Sequence, residues 1–381
     1  MKQPFQLPPA VRWPAAGALF ARFVWMLPLL AALVVAGGCA TFGYYAQAVG
    51  GQLELTRSSR PLDALLADPQ TPPELRERLL LAGEVAGFSR SELGLDGGGS
   101  FRAYAVLDRP YVVWNLFAAP PLSLDGRRWC YPVAGCVSYR GYFRRSNAER
   151  AAARLAAEGF ETYLAGVPAY STLGWFNDPL LSTFIDWPEA RFVELLIHEI
   201  AHGRIWARND TVFNESFAEY AAETGTRLWF AAGGQDAEYA AYQADRKAWR
   251  RMKQLLLRAR DRLAEVYRGD SDDALRLREK ARVLAALRRC YRDHRPMLGG
   301  GSFDGLVDGV NNAYLVALGA YADWRPAFAA LYRQAGDWGG FLEAVDALAA
   351  LGADERAAAL RRLQRNAEPE EEGRARIACG F

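Results

Sequence analysis

Two of the three histidines in this 381-residue chain stand four residues apart. They are His198 and His202 in the segment His-Glu-Ile-Ala-His, with Glu199 directly after the first. Positions i and i+4 of a helix lie on one face, so two imidazoles in this arrangement can bind one metal ion. Glu199 would then lie at the flank of the site, where a carboxylate can accept a proton from water. The pattern predicts a zinc site with a general base beside it.

The residues around this motif predict the helix that the chemistry needs. Apolar side chains recur at helical spacing from about 188 to 207. They are Phe192, Leu195, Leu196, Ile200 and Ile205. The plain alternative is a pair of histidines on a helix face beside an unrelated glutamate. The rarity of histidine elsewhere in the chain favours the metal site.

A catalytic zinc ion needs three protein ligands and one open position. Glu215 is the best candidate for the third ligand. Twelve residues separate it from His202, enough for a turn through 209–210 and the start of a second helix at about 214–231. Glu215 would lie in the first turn of that helix and point back at the histidines.

Three other side chains compete with Glu215 or support it. Glu219 and Glu223 follow at i+4 and i+8, either as groups that orient the histidines or as a solvated helix face. The remaining histidine, His294, lies among charged residues and is predicted to be on the surface.

The chain changes character along its length. Residues 44–94 and the chain from 188 onward predict helices, including a long hairpin at about 236–267 and 271–292. Between them, FRAYAVL and YVVWNLFAA predict a strand pair, WCYPVAGCVSYRGYF further strand, and ETYLAGVPAY another. The expected class is α+β, with a small mixed sheet followed by a mainly helical C-terminal half.

The strand that contains Trp114-Asn115-Leu116 precedes the metal helix. It is either an edge strand that pairs with an extended peptide or a buried strand of the core. Tyr170 and Tyr314 are candidates to stabilise an oxyanion, although a packing role is the commoner use of such tyrosines.

The N-terminal residues have the layout of a secretory signal. An uncharged apolar run at 23–38 follows Arg22 and ends in small residues before Cys39. Small residues directly before a cysteine resemble the lipobox of bacterial lipoproteins, in which that cysteine is lipidated. We expect a lipid-anchored protein in the cell envelope that faces the periplasm, and an uncleaved N-terminal anchor is the alternative.

Four further cysteines would then be in an oxidising compartment. Cys130 and Cys136 can meet across a turn, which leaves Cys290 and Cys379 as a second candidate pair, or each is a small buried hydrophobe. Without Lys2, Arg12 and Arg22 of the first 38 residues, the net charge is about −1. This balance does not indicate a nucleic-acid partner.

Two resemblances follow from these motifs. HEIAH followed by NESFAEY resembles the active site of gluzincin metallopeptidases of the aminopeptidase N type. That resemblance implies His198, His202 and Glu215 as ligands of one zinc ion and Glu199 as the catalytic base. The chain lacks the Gly-Ala-Met-Glu-Asn segment that holds the substrate's free amine in those enzymes.

The chain as a whole resembles a bacterial family described as putative aminopeptidases, which are often lipoproteins. The segments that resemble this family are WCYPVAGCVSYRGYF, AYSTLGWFNDPLLSTFIDWP, HEIAH, NESFAEY and NNAYLVALGAY. The expected organisation of the chain is a signal peptide, an N-terminal helical segment, a zincin-like catalytic core, a helical C-terminal region and a charged tail. The expected ranges are 1–38, 39–98, 99–232, 233–366 and 367–381 in that order.

The expected function is zinc-dependent hydrolysis of a peptide or protein in the envelope, by an aminopeptidase. One alternative is an endopeptidase with the same chemistry and an open cleft. The other is a non-catalytic lipoprotein with a structural metal site, although such a site does not need Glu199.

Overall fold

The computed structural model of this chain describes residues 43–131, 135–169, 178–233, 236–319, 324–365 and 379–380. Cys39, the apolar run before it and Tyr170 lie outside these residues. The chain divides into two compact units, Met1–Glu54 and Leu55–Phe381. In the first unit the structure describes residues 43–54, which form the start of helix α1 (43–58). Within the described parts, no helix has both the length and the apolarity needed to cross a membrane.

The strands of the second unit are short. They are β1 (Ser59–Pro61), β2 (Ala103–Ala105), β3 (Val113–Ala119), β4 (Trp129–Tyr131), β5 (Gly135–Val137), β6 (Arg140–Tyr142), β7 (Glu161–Val167) and β8 (Leu180–Leu181). In the described residues they form three sheets, ordered β1-β2-β8, β6-β3-β7 and β4-β5. The β2–β8 pair is parallel, and the other pairs are antiparallel.

The predicted pairing of FRAYAVL with YVVWNLFAA is wrong. The two segments contain β2 and β3, as expected for strands, but these belong to different sheets. Two apolar segments separated by a short turn usually form a hairpin, but the sequence between them does not exclude other partners. Here β3 pairs instead with β6 and β7, which arrive later in the chain.

Strand β3 lies in the middle of its sheet. Asn115 is opposite Gly141 of β6 on one side and opposite Ala165 of β7 on the other. The neighbouring strands therefore occupy both edges of Trp114-Asn115-Leu116. Of the two roles considered for this strand, the structure supports the core strand and not the edge strand that would pair with a peptide.

Helices make up most of the unit, which confirms the α+β class with a helical C-terminal half. Pro72 precedes α3 and Pro188 precedes α5, because proline fits the start of a helix. A 3₁₀ turn, Arg295–Leu298, follows α8. The helices are α2 (Leu62–Ala67), α3 (Pro73–Ser91), α4 (Arg145–Ala157), α5 (Glu189–Arg204), α6 (Thr211–Gly233), α7 (Asp236–Arg268), α8 (Asp273–Asp293), α9 (Asp304–Asp308), α10 (Asn312–Gly319), α11 (Arg325–Ala335), α12 (Trp338–Ala350) and α13 (Ala353–Arg365).

The main core lies between α5, α6 and the last helices. Phe213 and Phe217 of α6 pack against Phe328 of α11, and Phe217 and Phe328 both contact Phe341 of α12. Each of these rings is less than 2% exposed. Full burial of a phenylalanine side chain contributes roughly 1.5–3 kcal/mol. The apolar face of α6 is thus fixed by residues more than a hundred positions later in the chain.

Both candidate cysteine pairs form disulfides. Cys130 and Cys136 are directly opposite each other in the β4–β5 hairpin. Cys290 of α8 bonds to Cys379, so residues 379–380 are held against the helical hairpin α7–α8. These are the pairs that the sequence suggested for an oxidising compartment.

Candidate metal centre

Helix α5 positions both histidines of the motif. Its apolar stripe is fully buried against the core at Phe192, Leu196 and Ile200. The stripe fixes the rotation of the helix, so the face that contains His198 and His202 is turned toward α6. His202 is buried and His198 is partly exposed.

The connection between α5 and α6 is a tight turn held by an asparagine. Asn209 has a φ of +61°, a left-handed conformation that asparagine tolerates well. The side chain of Asn214 accepts a hydrogen bond from the Ala207 amide at 2.7 Å and donates one to the Ala207 carbonyl at 2.9 Å. These two bonds fix where α6 begins, and they turn Glu215, the next residue, toward α5.

Asp210 strengthens the same turn. Its carboxylate accepts a hydrogen bond from the Phe213 amide at 3.0 Å near the start of α6. Its other oxygen accepts one from Arg356 of α13 at 2.8 Å. Arg356 is 3% exposed and also donates to the Ala349 and Leu351 carbonyls. The turn predicted at 209–210 is therefore confirmed, with an arginine clamp that the sequence did not reveal.

The predicted ligand atoms converge. His198 Nε2 lies 3.2 Å from His202 Nε2 and 3.4 Å from Glu215 Oε2. His202 Nε2 lies 3.7 Å from Glu215 Oε1. The structure thus brings together the three side chains that the sequence predicted as ligands.

This donor set fits zinc. Two atoms that each lie ~2.0–2.1 Å from one tetrahedral ion are about 3.3 Å apart, close to the observed separations. Two imidazole nitrogens and a carboxylate oxygen are also the donor types that zinc takes in catalytic sites. The second ring nitrogen of His202, Nδ1, is buried without a hydrogen-bond partner among the described residues.

Burial and neighbouring charges shift the pKa values of the three candidate ligands in different directions. Burial lowers the pKa of His198, but its hydrogen bond to Glu215 and the nearby carboxylates outweigh burial and raise the pKa to about 9. Burial, reinforced by the charge of His198, lowers the pKa of His202 to about 4. Burial raises the pKa of Glu215, but the two histidines lower it more. Because metal ligands must be deprotonated, metal binding would release the proton of His198.

Glu199 occupies a different environment from Glu215. Burial, together with the charges of Glu215 and Asp178, raises the pKa of Glu199 to about 7, against the opposing effect of His198. Its carboxylate is not part of the converging group of donor atoms. Glu199 instead lines the cleft beside His198.

Glu219 and Glu223, the two later glutamates of α6, both form ion pairs with Arg325. Glu223 lies 2.8 Å from Arg250 and 3.4 Å from Arg325, and Glu219 lies 3.5 Å from Arg325. Both are about one-third exposed. Glu223 therefore joins α6 to α7 and α11, which is neither of the roles considered for it. Glu219 combines such an ion pair with a position in the cleft beside His198.

His294 and Tyr314 lie elsewhere. His294 Nδ1 is 3.0 Å from the carbonyl oxygen of Cys290, to which it can donate, close to the disulfide of that cysteine. Tyr314 is buried edge-on against Tyr163, and burial raises its pKa above the ordinary value. Neither side chain lines the cleft, so Tyr314 has a packing role in the described structure.

A cleft of about 510 Å³ opens beside the metal centre. His198, Glu199 and Glu219 line it, and so does Trp249 of α7. Its place in the cleft could not be predicted from the sequence, because the helical spacing of apolar residues in α7 does not indicate which other helix their buried stripe faces. A second cavity of about 370 Å³, next to Leu62, contains none of the predicted site residues.

Among known proteins, the sequence model of a family described as "Putative aminopeptidase" matches residues 43–360 of this chain, a range that includes the whole candidate metal centre. No curated protein and no solved structure matches the chain significantly. Since the match extends over most of the sequence, this chain belongs to the putative aminopeptidase family.

Proposed function

We propose that this protein is a zinc-dependent peptidase of the gluzincin type, and that it acts as an aminopeptidase. The observation that carries the proposal is the convergence of His198, His202 and Glu215 within 3.2–3.7 Å beside a cleft that Glu199 lines. The family description supports peptide hydrolysis as the reaction class. A zincin-like core is the corresponding proposal for the fold around α5 and α6.

The chemistry divides between the metal and the protein. When bound, zinc supplies a Lewis acid that lowers the pKa of water and polarises the peptide carbonyl. His198, His202 and Glu215 would hold it, and Glu199 would accept the proton of the attacking water. Glu199 would then donate that proton to the leaving amine, acting first as the general base and then as the general acid.

Glu219 supports the aminopeptidase over the endopeptidase. It lines the cleft beside His198, and its negative charge contributes to the raised pKa of His198. When a peptide carbonyl is attacked, the free amino group of the same residue lies only a few ångströms away. A carboxylate at this position would attract that ammonium group. In aminopeptidase N-type enzymes the Gly-Ala-Met-Glu-Asn segment, which this sequence lacks, has that role.

The alternative of a structural metal site is less well supported. A structural zinc ion has four protein ligands, whereas three donor side chains converge here in the described residues. The cleft also reaches His198, so a substrate could approach the metal.

The test is the substitution Glu199→Gln, which keeps the size of the side chain and removes its basicity. Zinc content and melting temperature should stay close to those of the wild type, because Glu199 is not a ligand. Hydrolysis should fall ~100- to 10,000-fold, the usual contribution of one positioned acid–base group. The measurements are zinc stoichiometry, thermal unfolding and cleavage of a mixed peptide library with free and N-acetylated termini.

Each outcome separates the proposals. Cleavage of free but not N-acetylated peptides indicates an aminopeptidase, and cleavage of both indicates an endopeptidase. Wild-type cleavage by the Glu199→Gln protein would remove Glu199 as the base. A wild-type protein that binds zinc and cleaves nothing would favour the structural site.

We further propose that the protein acts in the cell envelope, anchored to a membrane by lipid on Cys39 and facing the periplasm. The support is the order of residues before Cys39 in the sequence, together with two disulfides, which persist in oxidising compartments.

A further inference from the structure

The cleft next to the metal centre has one apolar wall. Trp249 of α7 and Phe303 pack together there, with ring centroids 5.6 Å apart and planes inclined by 45°. Leu195 of α5 lines the cleft as well. It stands three residues before His198, which is about 4.5 Å along the helix axis. One apolar residue of the cleft lining therefore lies within one helical turn of a candidate metal ligand.

A glycine turn shapes this wall. Gly299, Gly300 and Gly301 have φ values of +82°, +64° and +117°, which side-chain-bearing residues adopt only under strain. A Cβ atom on Gly299 would lie 3.1 Å from the ring of Phe303. The turn thus brings the Phe303 ring close to the Gly299 backbone, and both residues line the cleft.

Four of the charged groups that line the cleft form two opposite-charge pairs. Arg246 of α7 lies 3.2 Å from Glu194 of α5, and Arg191 of α5 lies 3.4 Å from Asp245 of α7. Both pairs connect the two helices that form the walls. A charged ligand side chain would have to compete with these pairs, whereas an apolar one would displace only water from the two aromatic rings.

We propose that this cleft binds a large apolar side chain of the peptide substrate, at the residue next to the scissile bond, with Trp249, Phe303 and Leu195 as its walls. The proposal rests on the proposed peptidase function. His198 and Glu199 line the same cleft as these apolar side chains, so a peptide held there for hydrolysis would bring a neighbouring side chain into the cleft beside them. Its volume of about 510 Å³ falls within the range of small-molecule sites.

Binding can be measured without cleavage. The zinc-loaded Glu199→Gln protein is titrated calorimetrically with tripeptides that contain one variable residue at the first or second position and alanine elsewhere. Peptides with leucine or phenylalanine at one of these positions should bind at least about tenfold more tightly than trialanine, because each methylene in an apolar pocket discriminates by ~10- to 200-fold. Peptides with glutamate or lysine should show no such gain.

Two substitutions change the wall in opposite ways. In the Glu199→Gln background, Trp249→Ala removes the ring and should reduce the preference for leucine and phenylalanine to about threefold or less. Ala248→Leu adds a side chain at another lining position and should weaken binding of the large peptides more than that of trialanine. Trp229→Ala is the matched control, because this tryptophan packs against Phe88 and does not line the cleft. It should lose stability without any change in preference.

The outcomes keep the two proposals apart. Equal binding of leucine, phenylalanine and alanine peptides at both positions overturns the apolar pocket, even if the wild type is an active peptidase. The same holds if Trp249→Ala folds, as judged by its melting curve, and keeps the full preference. Selective binding that depends on Trp249, with no cleavage by the wild type, supports the pocket and overturns the peptidase.

Discussion

Neighbouring side chains of the metal centre have different roles because they point in different directions. Asn214 is 1% exposed, and both the oxygen and the nitrogen of its side-chain amide form hydrogen bonds with the backbone of Ala207, so it fixes the turn. Glu215, the next residue, is partly exposed and faces the two histidines. A similar division holds on α5, where His198 belongs to the converging donors and Glu199 lines the cleft.

The three predicted ligands can be tested one at a time. His198→Ala, His202→Ala and Glu215→Ala should each lose bound zinc, because a site with three protein ligands has none to spare. Zinc at a free concentration of a hundred times its Kd should stabilise the wild type by about 2.7 kcal/mol. Removal of this zinc by a chelator should lower the free energy of unfolding by the same amount. The measurement is metal analysis of the purified proteins, with thermal unfolding before and after chelation.

Glu219→Ala and His294→Ala are the controls for this experiment, and both should keep their zinc. The assignment of Glu215 is wrong if its alanine variant retains a full zinc ion while one of these two controls loses it.

Helices α5 and α6 approach each other closely at a glycine. A Cβ atom on Gly225 would lie 2.7 Å from Leu93 and 3.0 Å from Ile197 of α5. Both of those side chains are fully buried, so neither can move away without disturbing the core. Glycine at this position therefore sets the distance between the two helices that hold the ligands.

Gly225→Val should destabilise the protein by about 1–3 kcal/mol, the usual cost of overpacking a core. Gly83→Ala in α3 is the contrasting change, since a Cβ there meets nothing within 4 Å. It should stabilise the protein by roughly 0.5–1 kcal/mol through helix propensity. Denaturant unfolding of both variants measures these effects. A Gly225→Val protein as stable as the wild type would contradict the close approach.

Distant parts of the second unit also support the candidate metal centre. Arg204, at the end of α5, donates two hydrogen bonds to Asp346 of α12 at 2.8 and 2.6 Å. Arg356 of α13 holds Asp210 between α5 and α6. The partners are separated by 142 and 146 residues. The last two helices thus fix both ends of the connection that places Glu215 against the histidines.

The attachment of the whole protein to a membrane is a separate prediction. Cys39→Ser should abolish lipidation and release the protein from the membrane fraction, because the apolar run at 23–38, which would be removed with the proposed signal peptide, is shorter than the ~20 residues of a membrane-spanning helix. Metabolic labelling with a fatty-acid analogue, followed by fractionation, measures both effects. Unlabelled Cys39→Ser protein that remains in the membrane would instead indicate an uncleaved anchor.

The sequence by itself was sufficient for the local features. Helical spacing of apolar residues predicted α5, α6 and the hairpin α7–α8, and Asn209-Asp210 predicted the turn between the ligand helices. The i, i+4 histidines and the glutamate in the next helix predicted the donor set, because a helix fixes the relative positions of residues one turn apart. The four cysteines suggested both disulfides.

Only the tertiary structure decided which distant elements meet. Local periodicity shows that a strand or helix has a buried face, but it does not identify the element that covers this face. For this reason β3 was paired with the wrong strand, and Glu223 was not recognised as a partner of Arg250 and Arg325. For the same reason Trp249 and Phe303 could be placed in the cleft beside His198 only from the packed chain.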